Sequence, residues 1–300
     1  FPIGFLIWDT SKKQKIKSIS VDVFNEKIEF LGKKSFSSNI SNKQKLTITQ
    51  WITGYETNGE ILGYTGNNGP DYQNNKFLKI SSIQTKVAGG NLNNATKYKI
   101  TATNLIQISI YLSVRLCIEA TWINDRDQFL YPNDLWEEDL EFQSDCLAFT
   151  LFHGQNRITS EEGINHWIPF SEAEVEAKNN FESHFMKDFI DGKIKPKETK
   201  ELLTERRSLK PIKFSKEAKD IFEAGRELWK YYHKHDLINI NASYYDIRKF
   251  FQGVDSKSGR MNNKSIDETY NKLIGNLRER MKILAKKIEP KIYEFGFLKK

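Results

Sequence analysis

Three stretches of the chain hold side chains suited to gripping or reading a polyanion. The first is a run of amides with one aromatic: Asn67, Asn68, Tyr72, Gln73, Asn74 and Asn75. An Asn or Gln amide presents a donor beside an acceptor, which pairs with an adenine edge, and a Tyr ring can lie against an unstacked base. The second is cationic. Residues 193–213 hold six lysines and two arginines, among them Lys195, Lys197, Lys200, Arg206, Arg207 and Lys210, in a spacing that suits phosphate tracking. The third is Lys257, Arg260, Asn263 and Lys264, with Gln252 and Asn262, between two expected helices, where a helix N-terminus would add N–H donors for an anion. Each stretch has a plainer alternative: a solvated turn, a mobile linker and a polar loop.

Other reactive residue types are sparser. Metal-dependent nucleases often place a Pro-Asp ahead of an acid-x-Lys on a strand, so that carboxylates hold Mg2+ and the Lys assists water. Pro70-Asp71 followed by Gln84-Thr85-Lys86 echoes this, with Gln in the acid's place. His153, His166, His184, His233 and His235 lack ligand spacing, so core or surface roles are expected for them. Cys117 and Cys146 lie among apolar residues, as buried thiols do. Two cysteines support neither a disulfide framework nor a four-cysteine zinc site, so no metal is expected. The acids Asp134, Glu137, Glu138, Asp139, Glu141 and Asp145 would repel phosphate and read as a solvated face or a dock for a basic partner. Asn124–Gln128 and Gln155-Asn156-Arg157 read as internal hydrogen-bond networks.

Charge sets the partner class. The net charge is +7, but it is uneven: 14 basic against 7 acidic residues in 1–100, 9 against 18 in 101–200, and 23 against 14 in 201–300. Basic surfaces concentrate polyanions, and nucleic acid is the commonest of these. With 38% hydrophobic and 28% charged residues, the composition is that of a soluble globular protein in a reduced, cytoplasmic setting. Phe1–Trp8 is the longest apolar run, far short of the roughly 20 residues that span a bilayer. No membrane role and no signal peptide are expected. Its opening on a strand-like run without Met suggests a piece of a longer chain.

The elements that would position these residues run from β to α. Residues 1–36 read as a β-hairpin, with Phe1–Trp8 and the alternating Ile16–Phe24 joined by a polar turn at 9–14. Residues 37–192 read as a mixed α/β recognition region. It has a short helix after a capping box at Ser41–Gln44, a loop over Gly63–Asn75 and another over Val87–Ala95. A buried helix follows from Asn104 to about Asn124, then one capped by Asp134, a strand over Ile164–Phe170, and a helix from the capping box at Ser171 to Gly192. Residues 193–213 form the basic linker and candidate domain boundary. Residues 214–300 are helical: Ser215 to about His235, Asn241 to Gly253, and Ser265 to about Glu289, the last with a Tyr270, Leu273, Ile274, Leu277, Met281, Leu284 stripe. The class is α+β.

Several strings are distinctive together: Phe1–Phe5, Ala120–Asp134, Phe152–Ile158, Asn165–Phe170, Ile274–Arg278 and Leu284–Pro290. Over essentially the whole chain, this sequence resembles the C-terminal part of large bacterial N6-adenine DNA methyltransferases of the restriction–modification type. The resemblance implies a target-recognition portion that holds double-stranded DNA, with S-adenosylmethionine bound in an upstream methyltransferase domain and a restriction-system partner possible. It implies that Phe1–Phe24 is the last hairpin of that domain's sheet. The family's Phe-x-Gly-x-Gly and Asn-Pro-Pro-aromatic motifs do not occur here, so no catalytic or cofactor residue carries over. A protein-interaction module is the alternative, and a nuclease a further one.

Overall fold

The computed structural model describes residues 11, 18–25, 27–37, 47–56, 59–65, 76–78, 98–118, 129–154, 156, 158–160, 163–194, 210–257 and 260–298. The chain divides into two compact units, residues 1–46 and 47–300.

In the first unit, β1 (Ser18–Phe24) pairs antiparallel with β2 (Phe30–Ser37). The alternation of Ile19, Val21 and Val23 suits a pleated strand. The turn between them lies at Asn25–Glu29; the expected pairing of Phe1–Trp8 with Ile16–Phe24 through a turn at 9–14 falls, Ser11 and the β1 residues apart, outside the described residues. Asn25 explains the turn. Its Oδ1 accepts from the Lys27 and Glu29 amides, both at 2.9 Å, and Ile28 takes φ +65.

The second unit has a small sheet ordered β4–β3–β5: β3 (Gly63–Thr65) runs parallel to β4 (Lys76–Leu78) and antiparallel to β5 (Lys99–Ile100). Gly63–Thr65 is thus a strand where a loop was expected. The helices are α1 (Ile48–Thr53), α2 (Leu105–Leu116), α3 (Leu140–Phe152), α4 (Glu172–Val175), α5 (Phe185–Ile190), α6 (Lys216–His233), α7 (Tyr244–Gln252) and α8 (Glu268–Glu294). The class is α+β, as expected.

The core is organised on α3, in which every residue from Phe142 to Phe152 is buried. A helix buried on every side must pair the polar side chains it carries. Helices α2, α6 and α8 pack on it. Gln143 Nε2 donates to Trp136 O at 3.0 Å and Thr150 Oγ1 to Cys146 O at 2.8 Å, and Ser113 Oγ of α2 donates across to Cys146 O at 2.9 Å. The expected boundary at 193–213 does not separate two cores, because α3 lies before that stretch and α6 and α8 after it. Asn156 is the internal hydrogen-bond residue expected, its Nδ2 donating to Leu151 O at 2.9 Å.

Several element bounds differ from expectation for local reasons. Thr47 and Gln50 form the capping box of α1, and the Ser41–Gln44 string lies outside the described residues. Helix α2 ends at Leu116, short of Asn124. Where one helix capped by Asp134 was expected, Asn133 caps a 3-10 turn (Asp134–Glu137) and Asp139 caps α3. Ile164–Phe170 is irregular, not a strand. Asn165 bends it, its Oδ1 accepting from Trp167 N and its Nδ2 donating to Asn241 O, while Trp167, Ile168 and Phe170 are buried. The Ser171–Glu174 capping box is present, but Glu176 enters the left-handed region at φ +57 and divides the expected helix into α4 and α5. Ser243 caps α7, and Asp267 caps α8 in place of the expected Ser265–Glu268 box.

Candidate nucleic-acid interface

Helix α7 stops at Gly253, whose φ of +67 and ψ of −179 favour glycine. The chain then folds back as a short hairpin. Val254 and Met261 form an antiparallel bridge, Asp255 N donates to Arg260 O at 2.8 Å, and Asn262 N to Gly253 O at 3.1 Å. Lys257, Arg260, Asn263 and Lys264 are all exposed on this hairpin, so the structure brings together the third predicted cluster.

Gln252 and Asn262 hold its base. Gln252 Nε2 donates to Asn262 O, Asn262 Nδ2 to Gln252 O at 3.0 Å, and Tyr270 Oη to Gln252 Oε1 at 2.7 Å. Gln252 is buried. It is therefore a brace within the protein, with its amide already paired and unable to read a base. Past the hairpin, Ser265 Oγ donates to Phe251 O, and Asp267 N to Ser265 Oγ at 3.1 Å. Asp267 Oδ1 accepts from Tyr270 N, and Tyr231 Oη donates to Asp267 Oδ2 at 2.9 Å. Three cations and one carboxylate, Asp255, thus ride on a frame fixed at both ends. Such a frame limits the entropy lost when a polyanion binds.

An aromatic layer beneath the hairpin is a feature the sequence reading missed. Tyr231 stacks on Phe251 with ring centroids 5.5 Å apart, and Phe251 on Tyr270 at 4.5 Å. His235 packs edge-on against Phe250 and Phe251 at 5.7 and 5.1 Å. The paired Phe250-Phe251 beside Lys249 was the available signal.

The other predicted cations do not join this site. Lys210 is exposed, and its ammonium donates to Glu137 O. Glu137 adjoins the Asp139 region, which is tied to the far end of α8 by the Lys291–Asp139 pair at 3.1 Å. The 27 residues of α8 span about 40 Å at 1.5 Å per residue, so Lys210 and the hairpin stand far apart. Lys195, Lys197, Lys200, Arg206 and Arg207 lie outside the described residues, as do Asn67, Asn68, Tyr72, Gln73, Asn74, Asn75, Asp71, Lys86 and the Asn124–Gln128 string.

The acidic cluster is not uniformly a solvated face. Asp145 is buried and accepts from Ser215 N at 3.0 Å; burial pushes its carboxyl up to about 6. Lys287 pairs with Glu141 at 2.8 Å and with Glu217 at 3.1 Å. Three of the six acids, Asp139, Glu141 and Asp145, thus hold the helices together.

Three of the histidines have neighbours that account for them. His166 Nδ1 lies 2.8 Å from Ser183 Oγ, which also accepts from Phe185 N at the start of α5. His184 Nε2 lies 2.6 Å from Glu172 Oε1. His233 is buried against Phe181. Burial pushes the Cys117 and Cys146 thiols well up, away from nucleophilic thiolate. Among the described residues, no group of three His, Cys, Asp or Glu is placed to hold a metal, and no helix is long and apolar enough to cross a membrane. No family model, curated protein or solved structure matches the chain.

Proposed function

We propose that this chain is the DNA-holding, target-recognition part of a cytoplasmic S-adenosylmethionine-dependent adenine-N6 DNA methyltransferase. In this reading the methyl donor and the chemistry belong to an upstream domain. The observation that carries it is the braced hairpin between α7 and α8, which presents Lys257, Arg260, Asn263 and Lys264 to solvent. Moving a target base out of a duplex costs a few kcal/mol, and phosphate contacts held on a rigid frame offset that cost. The distinctive strings and the basic C-terminal third support the same reading.

Fluorescence anisotropy of the chain with a labelled duplex across a salt series tests it. Affinity should fall steeply with salt. Each phosphate contact contributes about 0.9 to the log–log slope, so replacing Lys257, Arg260 and Lys264 together by Ala should lower the slope by up to about 3. Failure of the wild-type chain to bind at low salt would overturn the reading.

A protein-interaction module is the second reading. The observation favouring it is the β1–β2 hairpin, on which Phe24, Ile28, Phe30 and Leu31 are all exposed. An upstream domain or a restriction-system partner would cover such side chains.

A further inference from the structure

Three large apolar side chains stand bare on the segments flanking the basic hairpin and on the turn after α6, whose His235 packs on Phe250 and Phe251. Leu237 and Ile266 are fully exposed, and Phe250 is 44% exposed. They are not loose ends. Leu237 sits at φ +55, a left-handed conformation that leucine seldom adopts. The turn carrying it is pinned on both sides. His235 Nδ1 lies 2.9 Å from Tyr231 O, Asn239 N donates to Tyr232 Oη at 3.0 Å, and Tyr232 Oη donates to Asn239 O at 3.1 Å. Phe250 is held by Tyr232 and His235, with centroids 5.2 and 5.7 Å away. Ile266 lies between Ser265 and Asp267, both of them hydrogen-bonded. A left-handed leucine with its side chain in water is unfavourable in the isolated protein on two counts, backbone and solvation.

The charges around these side chains indicate what meets them. Lys234, Lys249 and Lys264 lie within three residues of them in the chain, and Lys257 and Arg260 lie on the hairpin between Phe250 and Ile266, with Asp236, Asp255, Asp267 and Glu268 on the same segments. Asp267 is committed to the α8 cap and to Tyr231, and Asp255 Oδ1 accepts from Lys257 N. The core of a protein–protein interface is depleted of lysine. Single apolar points on rigid turns, set among cations, suit a duplex: the cations meet phosphates while the apolar tips enter the base stack and part it.

We propose that Leu237, Phe250 and Ile266 form an apolar wedge that enters the base stack of duplex DNA beside the hairpin. This rests on the DNA-holding reading above and names the contact that distorts the duplex. A wedge favours DNA whose stack is already weakened, because less unstacking remains to be done.

The test compares the chain's affinity for a fully paired labelled duplex with that for the same duplex carrying one central mismatch. The wild-type chain should prefer the mismatch by about tenfold, the scale of one stacking contact. In the double variant Leu237→Asn/Ile266→Ser, the preference should vanish while the salt slope stays unchanged. Asn tolerates the left-handed backbone, and both positions are bare, so the fold is kept; a thermal melt checks this. Phe250→Ala should lower the preference in the same way. If the wild-type chain binds both duplexes equally, or the double variant keeps the preference, the wedge is overturned while the DNA-holding reading stands. Such a result would leave the apolar side chains to a protein contact. If the wild-type chain binds neither duplex at low salt, both readings fall together.

Discussion

Gly225 on α6 lies against the ring of Phe152 on α3 so closely that a Cβ at that position would stand 2.5 Å from Phe152 Cε1 and 2.9 Å from Cζ. The ring has nowhere to go. Phe152 is buried and sits edge-on to Phe222, Trp229 and Tyr244, with centroids 5.5 to 6.2 Å away. The glycine is therefore a packing requirement in mid-helix, at a site where alanine would otherwise favour the helix by about 1 kcal/mol. Gly225→Ala should destabilise the chain by roughly 1–3 kcal/mol, as overpacked cores do. Chemical denaturation would measure this, and Phe152→Leu in the same chain should recover part of the loss.

His233 should make the fold acid-sensitive. Both ring nitrogens are buried with no hydrogen-bond partner among the described residues, and burial pushes the imidazole down from 6.5 to about 4. The unfolded chain therefore binds the proton more tightly than the folded one. Stability from this group is full above pH 6.5 and is lost as the pH falls toward 4, reaching roughly 3 kcal/mol. Asp145 acts oppositely. Its raised carboxyl favours the fold at low pH, and that contribution is lost as the pH rises through about 6. Melting curves between pH 4 and 7 should show a shallower acid loss in His233→Leu than in wild type. A steeper or unchanged profile would contradict the assignment.

Gln252 should matter to DNA binding without touching DNA. Its amide joins the hairpin, through Asn262, to Tyr270 of α8. Gln252→Ala should leave a buried Tyr270 hydroxyl unpaired, cost about 1–3 kcal/mol of stability and loosen the hairpin. Amide hydrogen exchange at Asp255 and Asn262 should then quicken. Affinity for DNA should fall with the salt slope unchanged, whereas Lys264→Ala should lower the slope without speeding exchange.

Much of the helical framework was legible because its signals are local. The stripe from Tyr270 to Leu284 and the caps at Ser171 and Ser215 each lie within one segment, where side-chain period and a single hydrogen bond decide the outcome. The alternation in β1 likewise marked a strand before its partner was known. The clustering of Lys257, Arg260, Asn263 and Lys264 was legible for the same reason: they are neighbours in sequence. What tertiary structure alone decided are the relations between distant residues. Ile164–Phe170 has a strand's composition, yet Asn165 ties it to Asn241, 76 residues away, and the segment caps a helical core. Asp139 and Glu141 look like surface acids until α8 brings Lys291 and Lys287 to them. Gln252 looks like part of a phosphate-binding loop until Tyr270 and Asn262 take up its hydrogen bonds. A polar side chain's role depends on whether a partner arrives to desolvate and pair it, and that partner comes from elsewhere in the chain.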